Sequence, residues 1–238
     1  MKGSEMIDKR TPAQAALTDI PDGAAVMVGG FGVPGTPFIL VDQLLARGCR
    51  DLTLIKNEAN EDHMGVSKLI EAGRVSRLIT SHLGLNRTVL QMMNQGQIEV
   101  EFYPQGILAE KIRAGGAGLH GFVTDIGIGT ILADNKTILE LHGQKLIYEP
   151  ALRADLALIH AAVADSHGNL VYTKSARNFN PAMATAADLV VAEAEQVVAP
   201  GDLDPDQVHT PGVFVDRVVE ISELTSEYGV LTHHVLQA

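Results

Sequence analysis

The sequence predicts an α/β protein with an open, largely parallel sheet, crossover helices, and an inserted glycine-rich and β-hairpin region. Three observations carry this expectation. Apolar β-branched runs alternate with stretches whose apolar residues recur at helical spacing. That alternation returns roughly every 20–25 residues without sequence identity between units, as βαβ crossovers require. Glycines follow the helical stretches, at Gly48, Gly73 and Gly96, where a helix C-terminus favours a left-handed residue.

Thr11-Pro12 reads as an N-cap followed by proline at the first helical position, opening a short helix to Leu17. Residues 24–28 form a buried strand that runs into Gly29-Gly30. Residues 38–47 form a helix, with Ile39, Leu40, Leu44 and Leu45 on one stripe and Gly48 past its end. Strands are expected at 52–55, 75–80 and 98–103, and helices at 66–71, 87–94 and 108–113. From Gly115-Gly116-Ala117-Gly118 to Gly129 the helical signal fades. Residues 137–141 and 145–148, split by His142-Gly143-Gln144, read as a hairpin. The βα rhythm resumes at 155–162, 181–187, 189–192 and 213–219. One domain over residues 1–238 is expected, with a tail from about 220 that has no clear periodicity.

A 238-residue chain buries enough of its surface to need no disulfide or metal staple. Its 18 basic and 29 acidic residues leave a formal charge of −11, with no basic stripe, which argues against nucleic-acid binding. An anionic ligand must therefore be held by local donors. A single cysteine, Cys49, excludes an internal disulfide and suits a reducing compartment. No apolar run reaches membrane-spanning length, and residues 1–10 lack a signal-peptide pattern, so a cytoplasmic protein is expected.

Gly30-Phe31-Gly32-Val33-Pro34-Gly35 matches G-x-G-x-x-G between a strand and a helix. A dinucleotide fold would start its helix inside that motif. Pro34 and Pro37 lack an N–H and push the preceding residue out of helical geometry, which leaves a wider loop of free amides suited to an anion or a polar acyl group. A tight turn without a ligand is the bland alternative.

The run from Asp22-Gly23 through Val28-Gly29-Gly30-Phe31, with Gly35 and Pro37, resembles the N-terminal signature of family I coenzyme A transferase alpha subunits. Asp51-Leu52-Thr53-Leu54-Ile55, Ser81-His82-Leu83-Gly84-Leu85-Asn86 and Pro104-Gln105-Gly106 continue the likeness. So do Arg113-Ala114-Gly115-Gly116-Ala117-Gly118, Ser175-Ala176-Arg177-Asn178-Phe179-Asn180-Pro181 and Thr210-Pro211-Gly212, covering residues 10–220 in order. The resemblance implies an open α/β fold and a beta-subunit partner in an α2β2 assembly. It also implies ping-pong transfer of coenzyme A between a short-chain or 3-oxoacyl-CoA and a carboxylate acceptor. No cofactor would be permanently bound, since the coenzyme A thioester is the substrate.

By that resemblance Gly29, Gly30, Phe31, Gly32, Val33, Pro34 and Gly35 form the coenzyme A-binding loop, and the nucleophilic glutamate lies on the beta subunit. Glu58 and Glu61 are the nearest candidates in this chain, but they read as parts of a solvated loop. Gln105, after a strand and at the start of a helix, can donate to a developing thioester or anhydride oxygen. Capping its own helix is its alternative role. Asn57 fits a similar polar role at the mouth of the site. The family usually carries asparagine or aspartate next, where this chain has Glu58. Lys111, Arg113, Lys174 and Arg177 are candidate cations for coenzyme A phosphates, with surface solvation the competing reading for each.

The nine histidines show no metal-ligand spacing, and His233-His234 reads as an exposed pair. The methionines read as core filler, and Ser166-His167-Gly168-Asn169 as a turn. The serine-to-asparagine run at 81–86 looks more like acetate, butyrate and acetoacetate enzymes than 3-oxoadipate ones. Two other readings compete: a sugar-phosphate isomerase of related fold, and a non-catalytic sensor of acyl-CoA or a sugar phosphate.

Overall fold

The computed structural model describes residues 8–84 and 86–228. Most of the expected N-terminal segment, the end of the tail with His233-His234, and Leu85 lie outside them.

The chain runs α1 (Ala13–Ala16), β1 (Ala25–Val28), α2 (Phe38–Arg47), β2 (Leu52–Ile55), α3 (Val66–Glu71), β3 (Val75–Thr80), α4 (Arg87–Asn94) and β4 (Glu99–Phe102). It continues through α5 (Gln105–Gly116), β5 (Gly121–Thr124), β6 (Ile138–Leu141), β7 (Gln144–Pro150) and β8 (Ala154–Asp165). Then come β9 (Leu170–Val171), α6 (Asn180–Thr185), β10 (Ala187–Val198) and β11 (Arg217–Glu220). The main sheet has the order β11-β10-β8-β1-β2-β3-β4, parallel throughout, with β9 antiparallel on β8.

Side-chain alternation along the strands divides the core into two layers. Val26, Val28, Leu54, Leu78, Leu156 and Leu158 pack with Leu40 and Leu44 of α2 and Leu69 of α3. Met27, Ile55, Ile79, Ala157 and Ile159 point the other way, against Leu108 and Ile112 of α5 and Met183 of α6. Each fully buried leucine or isoleucine here contributes about 1.5–3 kcal/mol over an exposed one. Helix α2 ends where its glycine predicts: Gly48 takes φ 77° and closes on the Leu45 carbonyl.

The second sheet, β5-β7-β6, is antiparallel and lies in the chain between α5 and β8. The expected hairpin is there. His142 and Gly143, at φ 52° and 76°, form a two-residue turn with both central residues left-handed, matching the twist of the strands.

Three expectations are corrected. Pro12 rather than Thr11 is the N-cap of α1, and no side chain caps that helix. Helix α5 is longer than its apolar spacing indicates and carries Gly115 and Gly116 within it. A Cβ on Gly115 would fall 1.9 Å from the Leu152 carbonyl oxygen, and one on Gly116 1.9 Å from Thr185 Oγ1. Glycine costs a helix about 1 kcal/mol against alanine, and here it permits close approach to residue 152 and to α6. The strand expected at 189–192 is the twelve-residue β10. It is extended by parallel pairing to β8 as far as Val198 opposite Asp165.

Candidate active site

The candidate residues gather at the C-terminal ends of the parallel strands, where open α/β sheets present their ligands. The glycine loop follows β1, Lys56 to Asn60 follow β2, Ser81 follows β3, and Gln105 opens α5 after β4.

Every loop carbonyl with a side-chain partner is turned toward the protein. Gly29 O accepts from Lys56 Nζ at 3.1 Å. Gly32 O accepts from Thr36 Oγ1 at 2.7 Å and Asn60 Nδ2 at 3.0 Å. Pro34 O accepts from Asn178 Nδ2 at 2.9 Å, and Gly35 O from Asn180 Nδ2 at 3.1 Å. By contrast, the amides of Gly30, Gly32, Val33 and Gly35 meet no acceptor among the described residues. With the carbonyls of Gly29, Gly32, Pro34 and Gly35 tied down and four amides unpartnered, the loop is locally electropositive whatever the net charge; Gly32 is half-buried, and Gly30, Val33 and Gly35 are buried.

The glycines are needed for different reasons. A Cβ on Gly29 would sit 1.8 Å from Asn180 Oδ1, and one on Gly30 2.1 Å from Thr36 Oγ1. Gly32, at φ 61°, has no atom within 4 Å of its Cβ position and borders open space.

Beside the loop lies a cavity of about 250 Å³, lined by Phe31, Gln105, Ala109, Asn178, Phe179 and Ala182. It is mostly apolar, with two carboxamides on its wall. Helix α5 starts after Pro104 without a side-chain cap, and the exposed Gln105 carboxamide makes no hydrogen bond among the described residues. Gln105 is therefore free rather than capping.

Asn57 is not at the mouth of the site. It is fully buried, donating from Nδ2 to Glu58 Oε2 at 2.8 Å and accepting at Oδ1 from Ser81 Oγ at 2.9 Å. Glu58 is buried too, against the expectation of a solvated loop, because its Oε1 lies 3.0 Å from the ammonium of the wholly buried Lys56. That contact is ionic: Oε1 has no partner in hydrogen-bonding geometry. Burial depresses the Lys56 pKa, and the Glu58 charge opposes the shift. Glu61 is exposed.

The four candidate cations separate. Lys111 is buried on Glu149 at 3.1 Å and over the Tyr103 ring, so it is unavailable to a phosphate. Arg113 is bound to its neighbour Glu110, with Nε 2.8 Å from the carboxylate. Lys174 and Arg177 stand exposed on a short turn leading to Asn178 and make no ion pair among the described residues.

Below the loop, His160 of β8 is buried between two carboxylates. Its Nδ1 lies 2.9 Å from Glu193 Oε1 and its Nε2 lies 3.1 Å from Glu195 Oε1. Glu193 Oε2 also accepts the Leu40 amide in the first turn of α2, at 2.9 Å. The ring of Tyr228 packs on His160, and its hydroxyl donates to the Thr36 carbonyl. The described part of the tail thus folds back onto the base of the loop.

No group of three or more metal-ligating side chains occurs among the described residues. None of their helices is long and apolar enough to cross a membrane. Residues 166–169 form the expected turn, its amides at His167 and Asn169 held by Asp165 Oδ1.

Sequence reasoning assigned no role to Lys56, Thr36, Asn178 or Asn180. The available signal was the Asn178-Phe179-Asn180-Pro181 run, where polar amides lead into a proline-started helix.

The fold is thus an open parallel α/β sheet whose strand ends carry unpartnered loop amides and a free carboxamide beside a small apolar cavity. The chain belongs to the coenzyme A transferase family, whose sequence profile matches residues 9–221. It is 47% identical to the alpha chain of the acetate CoA-transferase of Escherichia coli K12 over 218 residues, covering 92% of this chain and 99% of that one. It is 46% identical to one subunit of the succinyl-CoA:3-ketoacid coenzyme A transferase of Xanthomonas campestris over 208 residues, covering 87% and 86%. Among solved structures it is similar to an acyl-CoA transferase of E. coli O157:H7, in a thioester complex with CoA, at TM-score 0.82 and 26% identity. That match covers 93% of this chain, which spans about half the length of the solved one. The transferase reading stands, and the protein is an enzyme of the CoA-transferase class.

Proposed function

We propose that this chain is the alpha subunit of a heteromeric CoA-transferase and supplies the acyl side of a site completed by a beta subunit. It moves coenzyme A between a short-chain acyl-CoA or 3-oxoacyl-CoA and an acceptor such as acetate, butyrate or acetoacetate. The observation that carries this is the pairing of unpartnered loop amides with the unpartnered Gln105 carboxamide beside one cavity of about 250 Å³. A volume below the ~300–1,000 Å³ of drug-sized pockets suits a short acyl group.

In this reading the nucleophile is a glutamate of the beta subunit, which attacks the thioester carbonyl. The carbon–sulfur bond breaks, giving a mixed anhydride and coenzyme A thiolate. The thiolate attacks the glutamyl carbonyl and releases the first carboxylate, leaving an enzyme thioester. The second acid reverses both steps, so atoms and charge balance over the ping-pong cycle. Gln105 donates to the oxyanion at the carbonyl under attack, and Gly29 to Gly35 seat the acyl-CoA. The buried, ion-paired Glu58 is unsuited to be the nucleophile, which supports its placement on a partner. The relatives are themselves named as single subunits of such transferases, which supports the same partner. An α2β2 assembly, a cytoplasmic location suited to the lone Cys49, and the lack of a permanently bound cofactor complete the proposal.

The test is coenzyme A transfer from acetyl-CoA or acetoacetyl-CoA to short acids, by this chain alone and with its co-expressed chromosomal neighbour. Activity confined to the pair, with a borohydride-sensitive glutamyl thioester on the neighbour, is the expected result. Activity of the single chain would overturn the division of labour.

A further inference from the structure

The structure assigns a positioning role to Lys56: its buried ammonium holds the glycine loop in the amide-out form and, through Glu58, sets the carboxamide of Asn57. This inference rests on the reading of the loop as the acyl-CoA seat.

Lysine is almost never fully buried without a reason, because removing an ammonium from water costs several kcal/mol after relaxation. Lys56 is 0% exposed, as is the Thr36 it touches. Its Nζ has three neighbours, two on the β1–α2 loop and one on its own segment: Gly29 O at 3.1 Å, Thr36 Oγ1 at 3.1 Å and Glu58 Oε1 at 3.0 Å. Two of the contacts are hydrogen bonds, to Gly29 O and Thr36 Oγ1, and the third is an ion pair.

Each contact leads toward the site. Thr36 Oγ1 accepts from Lys56 and donates to Gly32 O at 2.7 Å, so the middle of the loop is clamped to its far end through one hydroxyl. Gly29 O is drawn down at the strand end. Both pulls act on carbonyls, and a trans peptide turns its N–H opposite to its carbonyl, which leaves the Gly30 and Val33 amides directed away from these partners and unpaired. Glu58 carries the effect sideways: its second oxygen accepts from Asn57 Nδ2, whose Oδ1 accepts from Ser81 Oγ. The ends of β1, β2 and β3 are thereby linked through one cation. Glu58 thus serves as the counter-ion of Lys56.

A merely structural ion pair would affect melting but not substrate use, and the two roles separate in the assembled complex with its beta subunit. Lys56→Met strands the Glu58 carboxylate, so the informative variant is the double Lys56→Met/Glu58→Gln, which removes both buried charges together. It is expected to melt higher than Lys56→Met alone, yet to raise KM for acetyl-CoA at least tenfold and to speed amide hydrogen exchange in residues 29–36. Thr36→Val, which keeps the volume and removes the relay, is expected to raise KM in the same direction, with Thr36→Ser restoring it. The Thr36 pair decides the matter should the double variant fail to assemble. Unchanged KM and exchange in a stable double variant, or in Thr36→Val, would overturn the role. Gly32→Val serves as the control: if it raises KM while the Lys56 and Thr36 variants are silent, only the positioning role falls. If it too is silent, the loop is not the acyl-CoA seat and both readings fall.

Discussion

Asn180 donates from Nδ2 to the carbonyl oxygen of Gly35 at 3.1 Å, joining residues 145 positions apart in the chain. The same nitrogen donates to Ala176 O at 2.8 Å, and Oδ1 accepts the His160 amide at 3.2 Å. One fully buried carboxamide therefore ties the glycine loop, the turn before α6 and the central strand β8 together. The polar wall of the cavity depends on that junction, because Asn178, two residues earlier, holds Pro34 O in the same way.

Asn180→Ala leaves three backbone groups without their partner, two buried and one, the Ala176 carbonyl, half-buried. It is expected to cost about 1–3 kcal/mol per unsatisfied group, offset in part by relaxation, and to lower the melting temperature by several degrees. Thermal melting with and without acetyl-CoA checks this. A variant as stable as wild type would mean the junction is dispensable.

Gly32→Val places a β-branched residue at φ 61° in the part of the loop that borders open space. Strain of about 1–3 kcal/mol and a blocked amide surface are expected. The variant should still assemble but use acyl-CoA poorly. Wild-type KM and kcat would reduce the loop to a turn.

Gln105→Ala removes a side chain that makes no hydrogen bond within the described chain, so folding and assembly should be unaffected. Loss of one oxyanion donor typically costs ~10²–10³ in rate, and turnover is expected to fall at least tenfold. Stopped assays with purified complex, reading kcat at saturating acyl-CoA, check it. Full activity would take Gln105 out of the mechanism.

The His160 pair predicts a pH dependence of stability. Burial lowers the imidazole pKa, but the hydrogen bond and charge of Glu193, then those of Glu195, outweigh it and leave a net rise. Glu193 is raised by burial, which its bonds to His160 and the α2 amides only partly offset. Both shifts have one sign. Each group holds its proton more tightly when folded, so the Glu193 contribution is complete only below the unfolded glutamate value near ~4.3, while that of His160 is complete below the unfolded histidine value near ~6.5 and is lost as pH rises through its raised folded value. Melting temperature should therefore fall as pH rises above the unfolded histidine value near ~6.5, and less steeply in His160→Gln/Glu193→Gln. Parallel slopes in the two proteins would contradict the assignment.

What was legible in the sequence was local. Helices at 38–47, 66–71 and 87–94 and strands at 52–55 and 75–80 stand where apolar period and glycine stops place them, because those signals act within a few residues. The glycine loop and Gln105 could be singled out for the same reason, each sitting at a strand end with a visible break after it. The order of the sheet could not be read this way: β1 pairs with β8, 130 residues further on, and nothing near Val28 announces Leu158. Nor could the helical state of Gly115 and Gly116, which depends on the backbone they press against. The burial of Lys56, Glu58 and Lys111 was hidden most completely, since a lone charge in a sequence reads as solvated. It takes a counter-charge brought near by folding, such as Glu149 for Lys111, to make burial tolerable. Composition and period determined which elements form and where the loop lies. Tertiary packing alone decided which way the loop faces, because its carbonyls are held by Lys56, Asn60, Asn178 and Asn180 from other segments of the chain.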